Sequence, residues 1–217
     1  RSVPWARFVF ADMPAVAGVA VASSITPYGS RSKSSMRGQA GAVAYGWNLM
    51  EEVMRYARSG AALAQAEEFD IIYAHDWLSF GAGLAAKRAT GKPLIVHVHA
   101  TEFDRCGGEW GVNEEVYKIE KEGMEGADAV VAVSEFTKDL IVRKYGIAPG
   151  KVRVVYNGID EATIPAGTGA LPRLRALKSA GYHIVLFLGR ITLQKGPDYF
   201  LRAAARVKER DPKVIFV

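Results

Sequence analysis

Leu94-Ile95-Val96-His97-Val98-His99-Ala100-Thr101-Glu102-Phe103-Asp104-Arg105 is the stretch whose reading decides the fold. It opens as a β-branched run behind Gly91-Lys92-Pro93, the pattern of a central parallel strand covered on both faces. It closes on two histidines, two carboxylates and an arginine. Read as a cluster alone, these could equally be a salt-bridged loop with one core histidine. Their position shifts the balance toward a site, because ligands of open α/β sheets bind outside the carboxyl ends of the strands.

The chain on either side repeats the alternation. A helix begins near Ala44, where Leu49, Val53 and Tyr56 or Ala57 recur at spacings of three and four; Ser59-Gly60 suggests a break before it resumes to Glu67. Asp70 to Ala74 reads as a strand with His75-Asp76-Trp77 at its end, and Ser79 to Arg88 as a helix. Gly107 to Gly111 is a glycine-rich loop, and Glu114 to Met124 a helix with Val116, Ile119 and Met124 inward. Ala129 to Val133 is a strand. Ser134 caps a helix from Glu135 to Tyr145 that ends at Gly146. Val152 to Tyr156 is the next strand.

Strands separated by ten- to fifteen-residue helices predict right-handed βαβ units in a doubly wound, Rossmann-like parallel sheet, an α/β fold. The domain runs over residues 1–160, with 1–43 poorly defined: Val16 to Ser23 suggests a strand and Tyr28 to Gly41 a mobile loop. Residues 161–182 read as a linker and a short basic helix. A second domain opens over 183–217, with strand His183 to Leu188, loop Gly189 to Gly196, helix Pro197 to Val207 and strand Val214 to Val217.

Bulk properties narrow the function. Of 217 residues, 49% are hydrophobic and 24% charged, an ordinary globular balance. The net charge of +5 is scattered rather than gathered in a stripe, which argues against a nucleic-acid surface. No stretch approaches the roughly 20 apolar residues of a membrane span. The single cysteine, Cys106, cannot form an internal disulfide, which points to a reducing, cytoplasmic setting. Beside Arg105 it reads as a bland cysteine ahead of a nucleophile. The chain starts without methionine and stops on Val214-Ile215-Phe216-Val217, so it reads as a fragment of a longer protein.

The loop Gly189-Arg190-Ile191-Thr192-Leu193-Gln194-Lys195-Gly196-Pro197 carries a second signal. A strand-to-helix loop that ends at a helix N-terminus is suited to an anion. Gly189 would let backbone approach a ligand, Arg190 offers a planar fork of donors, and Lys195 adds a compact charge. A solvated basic loop has the same composition. The loop matches neither the dinucleotide-binding glycine pattern nor the P-loop. His97 and His99 share a strand face, which could hold a metal with one added carboxylate, but the strand lacks a convincing third ligand. By depth along the strand, His97 is expected to be structural and His99 to reach the cleft.

Four stretches together resemble the glycogen-synthase-like retaining glycosyltransferases, whose two doubly wound domains face each other. They are His75-Asp76-Trp77; His97 to Arg105; Val133 to Lys138 leading to Val155-Tyr156-Asn157-Gly158-Ile159-Asp160; and Gly189-Arg190 with Lys195-Gly196. The resemblance covers about Asp70 to Val217 and is weaker over residues 1–69. It implies transfer of a glucose-like sugar from a nucleoside-diphosphate-sugar donor to a glycan or small acceptor, with no metal and no cofactor. Residues 1–160 would be the acceptor-side domain.

Arg190 and Lys195 would bind the donor's diphosphate, His99 would contact the donor sugar, and Asp76 would line the acceptor side. Asn157 and Gly158 would lie at the crossing between domains. For Glu102, Asp104 and Arg105 two readings stand, sugar-hydroxyl contacts or a scaffold that fixes His99; Glu102 is carried with Asp76, Asn157 and Gly189 as a substrate-binding candidate. Two family features are missing: the early glycine-rich loop, and the acidic pair that would follow beyond Val217. The fragment is therefore expected to carry half a donor site and no turnover of its own. A nucleotide-sugar epimerase of the same architecture and a non-catalytic binding module are the alternatives.

Overall fold

A computed structural model describes residues 49–159 and 172–217. The strand expected at Val16 to Ser23, the loop at Tyr28 to Gly41, Asp160 and the linker at Ala162 to Ala170 lie outside them. β1 (Ile72–His75), β2 (Leu94–Val98), β3 (Ala129–Ala132) and β4 (Val152–Val154) form one parallel sheet in the order β1-β2-β3-β4. His75 stands opposite His97, and Val98 opposite Ala132. Sequential strands that lie side by side need helical crossovers. These are α2 (Asp76–Thr90), α3 (Glu102–Cys106) with α4 (Glu114–Gly126), and α5 (Glu135–Tyr145).

Alternation along the strands separates the two sheet faces. Leu94, Val96, Val130, Ala132 and Val152 are buried in one core with Phe80, Val116, Met124, Ile141 and Tyr145 from the helices. Each fully buried large aliphatic here is worth about 1.5–3 kcal/mol against exposure. The opposite face carries Tyr73, His75 and His97 near the carboxyl ends of β1 and β2.

The helix α1 (Leu49–Ala66) runs without the break expected at Ser59-Gly60. Packing explains the difference: a Cβ on Gly60 would stand 2.9 Å from that of Ala82, so the glycine admits close approach of α2. The residues expected as a loop after β2 form the short helix α3, because Thr101 and Asp104 make a capping box. The Thr101 amide donates to Asp104 Oδ2 at 2.7 Å. Helix α5 has the bounds expected from sequence, with Ser134 Oγ accepting the Thr137 amide at 3.1 Å and Gly146 left-handed at φ 72°.

The second lobe begins with α6 (Pro172–Ser179), followed by β5 (His183–Val185), α7 (Pro197–Arg210) and β6 (Val214–Phe216), the last parallel to β5. A 3-10 turn, Leu193–Lys195, ends the loop after β5 and hands over to α7 through Gly196 at φ 60°. That positive φ suits glycine. The turn packs on the end of α3: a Cβ at Gly107 would lie 3.3 Å from the Leu193 side chain. This contact brings the basic loop to the carboxyl ends of β1 and β2.

Candidate active site

The site is built where β1 gives way to α2. Asp76 adopts φ 56°, a left-handed conformation that costs a non-glycine residue energy and that aspartate tolerates better than most. In that position its Oδ1 accepts the backbone N–H of His99 at 2.8 Å. Ser79 Oγ donates to the carbonyl of His75 at 2.6 Å. The end of β2 is thereby tied to the first turn of α2.

Three imidazoles gather on the polar sheet face. His75 Nδ1 lies 2.9 Å from His99 Nε2, and the rings of His97 and His99 stack at 4.1 Å between centroids. Tyr73 Oη lies 3.0 Å from His97 Nδ1. His97 is 9% exposed, and its Nε2 is buried with no hydrogen-bond partner among the described residues. Burial lowers the pKa of His75 and of His97, and a charge on His99 would lower both further. His97 thus sits deep against its neighbours while His99 stands exposed at the rim.

Behind the histidines lies a buried ionic cluster. Glu102 is fully buried and accepts Arg105 Nε at 3.1 Å and the Asn113 amide at 3.2 Å. Its expected role as a sugar contact is corrected here: its carboxylate is sealed in the scaffold behind α3. Asp104 is spent on the helix cap. Arg105 also bonds Glu120 and, at 2.8 Å, the Ala100 carbonyl. Burial pushes Glu120 up to about 7, against the opposing pull of Arg105 and of the Tyr145 hydroxyl that donates to it. Cys106 is buried, donates to the Gly108 carbonyl at 3.0 Å, and has its thiol pKa raised by burial, as an inert cysteine should.

A cleft of about 320 Å³ opens in front of this scaffold. Asp76, Trp77, His99, Ala100 and Arg105 line it from the sheet side, and Arg190, Gln194 and Lys195 from the second lobe. Lys195 makes no ion pair among the described residues. Four of the expected residues, Asp76, His99, Arg190 and Lys195, therefore meet around one space. Asn157 is exposed beyond β4 and does not line it. Gly189 does not line it either; its α-carbon backs onto Lys195, whose Cγ would be 3.6 Å from an added Cβ. A larger open hollow lined by Glu67, Asp70, Thr90 and Lys92 lies at the opposite end of β1 and β2, away from these groups.

Two contributors escaped the sequence reading. Gln194 is carried into the cleft by the 3-10 turn, for which the loop gave no signal. His75 is the third imidazole that His97 and His99 lack on their own strand. Aligning the two strands in parallel from their carboxyl ends would have found it.

A parallel α/β sheet with a cleft at its strand ends, closed by the start of a second such lobe, is the architecture of the two-domain, GT-B-type glycosyltransferases. The fold is shared with Anabaena HepE in complex with UDP and glucose, at a TM-score of 0.55 and 20% identity over 79% of this chain and 44% of that one. It is shared also with sucrose-phosphate synthase from Thermosynechococcus elongatus, at 0.54 and 15% over 81% and 51%. The model of Glycosyltransferase Family 4 matches residues 28–163, more than half of the chain, and the chain belongs to that family. Residues 28–48, weak in the sequence reading, fall within the match.

Among curated relatives, D-inositol 3-phosphate glycosyltransferase of Streptosporangium roseum is 32% identical over 213 residues, 94% of this chain and 46% of the relative. Alpha-maltose-1-phosphate synthase of Mycolicibacterium smegmatis is 35% identical over 153 residues, 65% and 38%. The chain spans less than half the length of these relatives. No helix among the described residues is long and apolar enough to cross a membrane.

Proposed function

We propose that this chain contributes the acceptor-side domain, and the opening of the donor-side domain, of a retaining hexosyltransferase. The enzyme moves a glucose-like sugar from a nucleoside diphosphate to a glycan or small acceptor. One observation carries the reading: Arg190 and Lys195 share a single cleft with His99 and Asp76. When the bond between the anomeric carbon and the diphosphate oxygen breaks, its electron pair leaves with the diphosphate. Arg190 and Lys195 stabilise that growing negative charge, a preorganised electrostatic contribution. His99, fixed through its backbone by Asp76, contacts the sugar, and the acceptor approaches from the side of Asp76. The buried Glu102–Arg105–Glu120 cluster holds α3, and with it the Ala100 wall.

The relatives' names make inositol 3-phosphate a first acceptor to try. The test is a screen of UDP-, GDP- and ADP-glucose on the full-length protein, reading released nucleoside diphosphate with and without acceptor. Binding of UDP, GDP and ADP to this chain is measured in parallel. Release from one donor, and weakened diphosphate binding in Arg190→Ala and Lys195→Ala, is the expected result. Unchanged binding and turnover in both variants would overturn the phosphate assignment.

A further inference from the structure

We propose that His75, His97 and His99 form a binding site for a borderline divalent transition-metal ion, zinc first among them. The three rings each offer one nitrogen, and the three atoms lie within 4.8 Å of one another. His75 and His97 stand opposite each other on two paired parallel strands, and His99, just past the end of β2, is held by its backbone N–H to Asp76, so the main chain positions all three. Neutral imidazole is the ligand that zinc, nickel and copper favour, whereas magnesium and calcium prefer oxygen. Three protein ligands with a fourth position open is also a common zinc arrangement.

The buried nitrogen is the second observation. His97 Nε2 is shut away from solvent and has no hydrogen-bond partner among the described residues. An orphaned buried acceptor is costly, and a metal ion is one of the few groups that would satisfy it. The other ring nitrogen faces Tyr73 Oη at 3.0 Å. With Nδ1–H donating to the Tyr73 oxygen, Nε2 presents its lone pair, and the tyrosine acts as the outer partner that orients a ligating histidine. His75 Nδ1 and His99 Nε2, now 2.9 Å apart, share one proton between them. An ion at zinc–nitrogen distances would replace that proton and widen the gap to roughly 3.3 Å. The ligand atoms span up to 4.8 Å, so occupancy also requires the exposed His75 and His99 rings to turn toward His97 by about an ångström or more.

This site does not rest on the transfer reading, because its ligands are read from geometry alone. It meets the cleft at His99, so an occupying ion would draw that ring away from the cleft.

The test uses the tag-free chain and the metal alone. Cobalt(II) is titrated while its visible d–d absorption is followed, and zinc is then added to displace it. One cobalt per chain with the strong absorption of a tetrahedral site, bleached by one zinc, is expected. His75→Ala and His99→Ala, both at exposed positions, should lose the spectrum while keeping the thermal transition of the parent. Tyr73→Phe should weaken affinity by about 10-fold. His183→Ala, on β5 in the other sheet, should bind like the parent. Absence of a stoichiometric cobalt spectrum in the parent, or a spectrum that survives His75→Ala or vanishes in His183→Ala, would overturn the proposal.

Discussion

The Asp76 carboxylate accepts the backbone N–H of His99 at 2.8 Å, joining the first residue of α2 to the residue just past β2. Twenty-three positions apart in sequence, the two residues share one cleft. The acceptor is held there by a left-handed backbone, so position 76 needs both a short polar side chain and tolerance of φ 56°. Asp76→Asn keeps both and should stay within about 0.5 kcal/mol of the parent in urea unfolding. Asp76→Ala loses the bond and retains the strain, and should cost about 1–3 kcal/mol. Equal stability of the two variants would show that the bond contributes nothing.

Arg190→Ala and Lys195→Ala should act mainly on turnover. Losing one group that stabilises the leaving diphosphate is expected to lower kcat by roughly 100- to 1000-fold, by analogy with loss of one oxyanion-hole donor. KM for the acceptor should move little. Steady-state rates with the donor found in the screen decide it, and a KM effect without a kcat effect would reduce both residues to ground-state binding.

Glu120 makes stability depend on pH in an unusual direction. The folded chain holds the Glu120 proton up to about 7, whereas the unfolded chain releases it near 4.5. Between those values the folded state binds more protons, so the contribution of Glu120 is full below 4.5 and is lost as pH rises through 7. Glu120→Gln keeps one acceptor oxygen, enough for either Arg105 or Tyr145, and cannot titrate; its constant loss of the second bond drops out of the comparison between pH values. The parent should lose on the order of 2–3 kcal/mol relative to Glu120→Gln between pH 4.5 and 7. Parallel stability curves for the two proteins would refute the assignment.

Gly123 gives a packing test. In a helix interior Gly→Ala ordinarily stabilises by about 1 kcal/mol. Here an added Cβ would lie 2.5–2.8 Å from Cδ2, Cβ and Cγ of Phe80, itself buried in the core. Gly123→Ala should therefore destabilise by about 1–3 kcal/mol, the usual cost of overpacking. Thermal unfolding reads the sign directly, and a gain would mean that α2 and α4 can separate at little cost.

The sequence alone determined what depends on neighbours along the chain. Helix α5 is legible to the residue because Ser134 and Gly146 satisfy its end groups locally. The β–α alternation is legible because a half-buried helix and a buried strand impose different hydrophobic periods. The grouping of Asp76, His99, Arg190 and Lys195 was reached through a family resemblance, since nothing local links residues more than ninety positions apart.

Tertiary structure decided the rest, and the reason is register. His75 becomes the third imidazole because β1 and β2 pair with His75 opposite His97, a choice made by the whole sheet. Glu102 leaves the candidate site for the scaffold because Arg105 lies one turn on and Glu120 is brought in from α4, beyond any local signal. Gly60 reads as a helix breaker, yet it sits within α1 because Ala82 of α2 fills the space where a Cβ would stand, as Phe80 does at Gly123 of α4. In each case the residue type was visible in the sequence, and its role was set by an atom that only folding brought within 4 Å.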